Sequence, residues 1–225
     1  MIKYVRSLIA LLPFEIRRKR PSRIPWSGRY VYQSQHIAFD IHSGQTVLDV
    51  GSGHDPFPGA TVLGDRFLRT EVHRKKELVR DGRPMAVFDV EAMPFPDKSF
   101  DFVYCSHVLE HVPHPELACA ELARVGRRGY IETPTLGKDV LFSQTAEMHR
   151  WHVVAHEQEL HFFECTERQR NGIGSNAWRK AIFAKHHNTF QDLFWDNQDL
   201  FNVMFLWDGG FKCHVHRRTD QGAML

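Results

Sequence analysis

The stretch Thr46–Pro58, TVLDVGSGHDPFP, constrains the fold of this chain more than any other. Its short apolar run, Val47–Val50, predicts a buried strand, and the Gly-Ser-Gly turn at 51–53 follows directly. A turn without bulky side chains lets backbone N–H groups approach a ligand. Asp49 lies inside the apolar run, where a carboxylate is costly unless a donor bonds to it. A ligand carrying both a nucleoside and an amine would supply that donor.

Beyond this turn, apolar runs alternate with charged or proline-containing connections. His54–Ala60 holds two prolines and is too short for a crossover helix, so we expect a short turn or a one-turn helix there. A helix is predicted over His114–Val125, with Pro115 in its first turn and Gly126 after its end. Another helix is expected around 30–42. The predicted strands are Val47–Val50, Thr61–Gly64, Met85–Phe88, Phe102–Cys105 and Gly129–Glu132. This alternation predicts a mainly parallel sheet with helices on its faces.

The pattern changes after residue 149. Trp151–Ala155 and Leu160–Cys165 predict a hairpin, and Ser175 is a candidate cap for a helix over Asn176–His187. Asn202–Trp207 and Phe211–His216 predict a second hairpin around an Asp-Gly-Gly turn, each strand with one buried face.

The N-terminal thirty residues carry eight lysines and arginines against one acidic residue. Residues 2–12 show helical spacing of apolar side chains, but the apolar run Leu8–Phe14 is far below the roughly 20 residues of a membrane span. Two interpretations stay open. Either this helix packs on the domain with a solvated basic segment, or residues 1–20 contact an anionic membrane. The basic stretch is short and lacks interleaved aromatics, so no nucleic-acid partner is expected.

Cysteine and histidine usage argues against a metal site. The four cysteines are scattered without a C-x-x-C pair, which predicts reduced thiols of a cytosolic protein. Among the 15 histidines, His149, His152 and His156 would share a helix face, but the strand predicted over Trp151–Ala155 separates them. We therefore expect no bound metal.

Three acids, Asp49, Asp65 and Asp89, fall at or near the ends of the first three predicted strands. Ligands of open α/β sheets bind outside the carboxyl ends of the strands, where the strand order reverses. An acid closing the second strand can accept hydrogen bonds from both ribose hydroxyls. An acid after the third strand, beside Val90 and Met93, can accept from an adenine amino group while the apolar side chains cover the ring.

The segments VLDVGSG, VLGD, FDVEAMPFPDKSFDFVYCSHVLEHV and RVGRRGYIETP, taken in this order, resemble the class I S-adenosylmethionine-dependent methyltransferases, especially their small bacterial single-domain branch. The resemblance covers about residues 44–134 and is most specific in the string EAMPFPDKSFD. It implies an α/β, Rossmann-like, mainly parallel sheet with helices on both faces, here with C-terminal β-hairpin additions. It also implies S-adenosylmethionine as the cofactor. The match departs at Asp55, which replaces the usual third glycine, and in the near absence of the following helix.

The resemblance also implies roles for individual residues. The turn would pass under the methionine moiety, Asp49 would hold its amino group through water, and Asp65 would bind the ribose with Arg66 beside it. Asp89 and Val90 would bracket the adenine. The implied cofactor residues are Asp49, Gly51, Ser52, Gly53, Asp65, Arg66, Asp89, Val90, Cys105, Ser106 and His107.

Because the sulfonium already activates its methyl group, the protein's main work would be to place an acceptor in line. A hydroxyl acceptor also needs a base, for which His107 is the first candidate and His111 the second, with Glu110 as a structural partner. The acceptor is expected to be a small molecule, a glycan or a lipid-linked intermediate. Two alternatives remain: a nucleotide-binding oxidoreductase, although G-x-G-x-x-G is absent, and a membrane-docked cofactor-binding protein without turnover.

We expect one cytoplasmic protein in three parts, with membrane association as a further option through the basic N-terminus. Residues 1–43 would form the basic amphipathic helix and lead-in, and residues 44–134 the cofactor-binding core. Residues 135–225 would complete the sheet and form the substrate side of the same domain.

Overall fold

The computed structural model describes residues 28–69, 76–142, 148–170 and 176–218. The strands are β1 (Val47–Val50), β2 (Val62–Asp65), β3 (Met85–Val87), β4 (Phe100–Ser106), β5 (Gly126–Pro134), β6 (Trp151–His156), β7 (Glu159–Glu164), β8 (Asn202–Asp208) and β9 (Lys212–His216). The helices are α1 (Gly28–His36), α2 (Pro115–Val125), α3 (Leu136–Leu141), α4 (Glu167–Arg170), α5 (Asn176–Ile182) and α6 (Thr189–Asp196), with a 3₁₀ turn at Gln198–Leu200. The predictions for residues 1–20 and for the Ser175 cap lie outside the described residues.

The main sheet has six strands in the order β3-β2-β1-β4-β5-β8. The first five are parallel, and β8 runs antiparallel to β5 at the edge. From β1 the chain builds outward through β2 to β3, then returns to add β4 and β5 on the other side. The order therefore reverses between β1 and β4, which is where ligands of such sheets bind. The predicted α/β, Rossmann-like architecture is confirmed.

Helices cover both faces of this sheet. Successive residues along each buried strand point to opposite faces, so they pack in two different hydrophobic clusters, one on each face. Leu48 of β1 packs in the cluster that contains Leu122 of α2. Its neighbour Val47 packs in the other cluster, which Tyr30 of α1 and Phe39 of the following extended segment cover. Each fully buried side chain of this size contributes about 1.5–3 kcal/mol of transfer free energy, so both faces stabilise the sheet.

Helix α2 leads into β5 without a loop. It begins at Pro115 and ends at Val125, and its C-cap residue Gly126 is already extended, with φ −96° and ψ 149°. A Cβ at Gly126 would lie 2.6 Å from Val103 and 2.9 Å from Trp207, so glycine lets the helix end pass close to the sheet. The helix predicted from Pro115 and Gly126 is confirmed.

A second, three-stranded sheet has the order β6-β7-β9. The predicted hairpin of β6 and β7 is confirmed, with antiparallel pairing from Trp151↔Glu164 to His156↔Glu159. The predicted hairpin of β8 and β9 is wrong: β8 pairs antiparallel with β5, and β9 pairs parallel with β7. The alternating pattern of each strand determines its buried face but not the strand with which it pairs. In the structure β8 pairs at the edge of the main sheet and β9 at the edge of the small sheet.

Other boundaries differ by a few residues. The helix predicted over 30–42 is α1 alone, after which residues 37–42 contain no helix. The connection at His54–Ala60 contains turns and no helix, so of the two expected forms only the short turn is present. The helix predicted over Asn176–His187 ends at Ile182. Within the described ranges, no helix has the length and apolar character to cross a bilayer.

Candidate functional site

A cavity of about 330 Å³ opens at the carboxyl ends of β1, β2 and β4, where the strand order reverses. Its lining contains ten of the eleven cofactor residues implied by the sequence, and His111 as well. Residues separated by up to about 60 positions in the chain therefore meet in one place. The position is the one that strand topology alone predicts for a ligand.

The glycine turn is shaped by its packing against the neighbouring loop and strand. Gly51 has φ +76°, and a Cβ there would collide with Cγ2 of Val108. The N–H groups of Gly51 and Ser52 both donate to the carbonyl of Gly64, at 2.8 and 2.9 Å. The N–H of Gly53 donates to Asp65 Oδ2 at 3.1 Å. These three donors serve the protein itself, so the turn offers a ligand close approach rather than the N–H donors expected from the sequence.

Asp49 is buried on β1, with 2% of its surface exposed, and its Oδ2 accepts the N–H of Phe57 at 2.7 Å. Burial raises the pKa of this carboxyl to about 7, although the Phe57 N–H and the nearby Arg29 act in the opposite direction. In the same cavity, the buried hydroxyl of Ser52 has no hydrogen-bond partner within the described part of the chain. An ammonium group with a hydrogen-bonding neighbour would compensate both, and the methionine moiety of S-adenosylmethionine has this chemistry.

Asp65 closes β2 and is oriented by two backbone donors. Its Oδ2 accepts from Gly53 and its Oδ1 accepts the N–H of Phe67 at 2.8 Å. A carboxylate offers about four acceptor positions, so capacity remains for a ribose diol. The orientation is consistent with the implied ribose contact.

Asp89 lies two residues after β3 and is 34% exposed at its side chain. Its Oδ1 accepts the N–H of Glu91 at 3.0 Å, and its Oδ2 pairs with Arg66 at 3.1 Å. The resemblance implies that Arg66 lies beside Asp65 at the ribose. In the structure its guanidinium pairs with Asp89, the residue expected at the adenine, and the neighbouring Phe88 and Val90 also line the cavity.

Cys105 is the one implied cofactor residue that does not line the cavity. Its side chain is 1% exposed and belongs to the cluster that contains α2. Successive side chains of a strand point to opposite faces, so Tyr104 and Ser106 reach the cavity and Cys105 points away. Burial raises the pKa of its thiol well above the usual value, as expected for an inert core cysteine.

Arg29, which the sequence analysis treated only as one of the N-terminal basic residues, closes one side of the cavity. Its Nη1 donates to Ser106 Oγ at 3.1 Å, and its Nη2 donates to the carbonyl of Asp55 at 3.1 Å and pairs with its Oδ2 at 3.2 Å. Tyr30 also donates its hydroxyl to that carbonyl. Asp55, which stands where the methyltransferase pattern has a third glycine, thus holds α1 against the cavity through Arg29 and Tyr30. This unusual aspartate was the one sign in the sequence that the position has a partner.

His107 follows β4 with φ +57° and lies between two buried carboxylates. Its Nδ1 is 3.2 Å from Glu110 Oε1, and its Nε2 is 3.3 Å from Glu132 Oε1. Burial opposes ionisation of Glu110, but the charges of His111 and His107 outweigh it and hold its pKa at about 2. For Glu132, burial is likewise outweighed by His107 and Arg29, and its pKa is also about 2.

Glu132 is the centre of a buried polar network that the sequence analysis missed. Its Oε2 accepts from Gln33 Nε2 of α1 at 2.7 Å and from the hydroxyl of Tyr130, while Ser106 Oγ donates to its Oε1 at 3.3 Å. A glutamate inside the apolar strand run YIETP was the signal, because a buried carboxylate requires partners.

The structure brings together two of the histidines that the sequence analysis expected to be separated. His149 Nδ1 is 2.8 Å from Asp139 Oδ2, and His152 Nδ1 is 3.7 Å from the same atom. His149 precedes β6 and is not bound by the strand's alternation, so the expectation is wrong for this pair. His156 lies at the exposed far end of β6.

Residues 48–131 match the family model described as "Methyltransferase domain". The chain is 32% identical over 139 residues to an uncharacterized methyltransferase of Mycolicibacterium paratuberculosis, covering 55% of this chain and 54% of that protein. It is 34% identical over 111 residues to a demethylmenaquinone methyltransferase of Thermobifida fusca, covering 45% and 47% respectively. The chain thus spans about half the length of these relatives. A solved complex of a Haloferax volcanii methyltransferase with its Trm112 activator aligns over 82% of this chain and 92% of that chain, at 13% identity and a TM-score of 0.48.

Proposed function

We propose that this chain transfers a methyl group from S-adenosylmethionine to a small-molecule acceptor, a proposal supported by the match of residues 48–131 to a methyltransferase domain. One observation carries the proposal: Asp49, Asp65 and Asp89, from three adjacent strands or their ends, line a single cavity at the reversal of strand order. Three carboxylates in this order provide for an amine, a ribose and an adenine.

The proposed cofactor contacts follow from that arrangement. Asp49 and Ser52 bind the amino-acid end, and Asp65 accepts from the ribose hydroxyls. Asp89 accepts from the adenine, which lies between Phe88 and Val90, while Arg66 holds Asp89 in place. Ser106 and His107 line the side nearest the sulfur.

S-adenosylmethionine supplies an electrophilic methyl group, and the residues of this chain position an acceptor and exclude water. We place the acceptor against His107, Val108, His111 and Val112, which line the cavity after β4. The Thermobifida relative is named for a quinone precursor, which favours a small cyclic acceptor here too. Glycan and lipid-linked acceptors remain within the proposal, with residues 135–225 as the substrate side and residues 1–20 as a membrane contact.

His107 can act as a base only if one of its two carboxylate contacts opens. Both of its ring nitrogens lie within 3.3 Å of a carboxylate oxygen, so taking a proton from an acceptor requires one contact to open and the freed nitrogen to carry no proton. We therefore assign His107 a positioning role in the resting site and a base role only after the acceptor displaces Glu110 or Glu132. His111, the second candidate, lies deeper between Glu110 and the carbonyl of Met148.

Calorimetric titration with S-adenosylhomocysteine and with NAD tests the cofactor directly. We expect saturable 1:1 binding of S-adenosylhomocysteine and none of NAD. Asp65→Asn should weaken binding by about tenfold or more, because an amide replaces half of its acceptor capacity with donors. Asp81→Asn, an exposed acid paired with Arg83, is the matched control and should bind like the original chain. Preferential binding of NAD would favour the oxidoreductase alternative.

Incubation with a labelled methyl donor and a fractionated small-molecule extract tests turnover. Label in a small-molecule fraction supports the proposal. Cofactor binding without label in any fraction would favour the binding protein without turnover.

A further inference from the structure

Next to the cavity, Glu110, His111 and His149 present one ligand atom each, and all three atoms lie within 4.8 Å of one another. Glu110 is fully buried and His149 is 5% exposed, whereas His111 reaches the cavity wall. Donors that bind a tetrahedral ion at about 2.1 Å are roughly 3.4 Å apart, so a small closure completes the set. We propose that these three residues bind a divalent transition-metal ion of the zinc type.

The two histidines are prepared for this role by their second nitrogens. His149 Nδ1 lies 2.8 Å from Asp139 Oδ2, and His111 Nδ1 lies 3.0 Å from the carbonyl of Met148. An oxygen acceptor at Nδ1 places the proton there and directs the Nε2 lone pair away from it. Metal-binding histidines are oriented in this way, by a carboxylate or carbonyl behind the ring.

Glu110 adds an independent indication. Its Oε1 is 3.2 Å from His107 Nδ1, but its Oε2 is buried and has no partner within the described residues. A buried carboxylate oxygen without a partner is costly, and a cation is the partner that compensates it best. The carbonyl of Glu110 accepts the N–H of Arg150 at 2.7 Å, which holds the His149 segment against it.

Two histidines and one carboxylate leave at least one coordination position open, as in catalytic rather than structural zinc sites. His111 lines the cavity, so that position faces it. The ion would then lie on the side where the proposed function places the acceptor. This last step depends on the proposed function, whereas metal binding does not.

A second group, Glu159, His161 and His214, lies on the face of the small sheet. It is partly exposed, and the ammonium of Lys212 already neutralises Glu159 at 2.7 Å. This surface group is a weaker candidate but would bind added metal in an assay. The test therefore uses the full chain with His161→Gln and His214→Gln as its background.

The background protein is freed of metal with a chelator and titrated with Zn²⁺ by calorimetry, without any methyl donor. We expect about one Zn²⁺ per chain and visible d–d absorption after Co²⁺ substitution. His149→Gln and Glu110→Gln should each weaken binding by about a hundredfold, and the orienting residue Asp139 changed to Asn by about 10–100-fold. His152→Gln, also buried and also near Asp139, is the matched control and should leave binding unchanged.

Absence of stoichiometric Zn²⁺ binding to the background protein would overturn the inference, whatever the variants do. Binding that survives both His149→Gln and Glu110→Gln in folded protein would also overturn it. S-adenosylhomocysteine titrated into the same background separates the two proposals. Metal binding without cofactor binding counts against the proposed function alone, and cofactor binding without metal binding counts against the metal site alone.

Discussion

The backbone N–H of Phe57 donates a 2.7 Å hydrogen bond to the buried carboxyl of Asp49. The two residues lie on opposite sides of the glycine turn, so this bond ties the Pro-rich connection back onto β1. It is too little to offset burial, and the pKa of Asp49 rises from 3.8 to about 7. Ionisation of the Asp49 carboxyl beside the turn therefore lowers the stability of the fold. A cationic ligand would give the ionised carboxyl a partner.

Folding stability should fall with rising pH because of Asp49. Its pKa is higher in the folded chain than in the unfolded one, so the protonated form stabilises the fold below about pH 4. That stabilisation is lost as the pH rises through about 7, and amounts to at most about 4 kcal/mol. Asp49→Asn cannot titrate, so urea unfolding at several pH values should show the original chain losing stability relative to the variant. Parallel curves would contradict the assigned pKa.

Cofactor affinity should change with pH in the opposite direction. An ammonium group prefers the ionised form of Asp49, so S-adenosylhomocysteine should bind up to about tenfold more tightly for each pH unit between about 5.5 and 7. Above about 7.5 the affinity should level off. Asp49→Asn should bind more weakly and without this slope when titrated calorimetrically. A slope that persists in the variant would assign the titration to another group.

Arg29 of α1 should contribute more to stability than an exposed arginine of the sheet such as Arg127. Its side chain bridges Asp55 and Ser106 and is mostly shielded from solvent. Arg29→Met should lower the free energy of unfolding by about 2–3 kcal/mol, since it removes charge-assisted bonds from a shielded site. It should also weaken cofactor binding. Arg127, 63% exposed and 3.8 Å from Asp101, is the control, and Arg127→Met should cost less than about 0.5 kcal/mol. If both variants lost the same free energy of unfolding, the stabilising role assigned to the Arg29 contacts would be wrong.

The glycine turn can be tested by a matched pair of substitutions. Gly51 and Gly44 both have left-handed backbones, with φ of +76° and +89°, so alanine strains both by about 1–2 kcal/mol. Only at Gly51 would the new methyl group collide with Val108, whereas Gly44 has open space around it. Gly51→Ala should therefore lose about 1–3 kcal/mol more in urea unfolding, together with cofactor binding. Gly44→Ala should bind the cofactor normally.

The features that could be predicted from the sequence are those that depend only on residues close together in the chain. The apolar run Val47–Val50 predicts a strand, and the glycines after it predict a turn. Asp49 places a carboxyl near the end of that strand, next to the turn. Asp65 and Asp89 follow from the same local logic, and parallel strands bring their ends together. Cys105, which the resemblance implies as a cofactor residue, lies outside the cavity by a single step of strand alternation. The resemblance gives positions along the chain but not the face to which each side chain points.

The rest required contacts between distant segments. Arg29 and Ser106 are 77 positions apart, and nothing local marks either as the other's partner. The edge that β8 joins and the edge that β9 joins both exist only after the remaining strands have paired. His149 reaches Asp139 across a connection between two elements, so histidine spacing within the strand gave the wrong expectation.

We propose that the nucleoside cofactor occupies the cavity lined by Asp49, Asp65 and Asp89. A crystal structure of the chain with S-adenosylhomocysteine tests it most directly. We expect the ribose within hydrogen-bond distance of Asp65, the amino group towards Asp49 and the adenine beside Asp89. Cofactor density elsewhere, or these carboxylates turned away from a bound nucleoside, would contradict it.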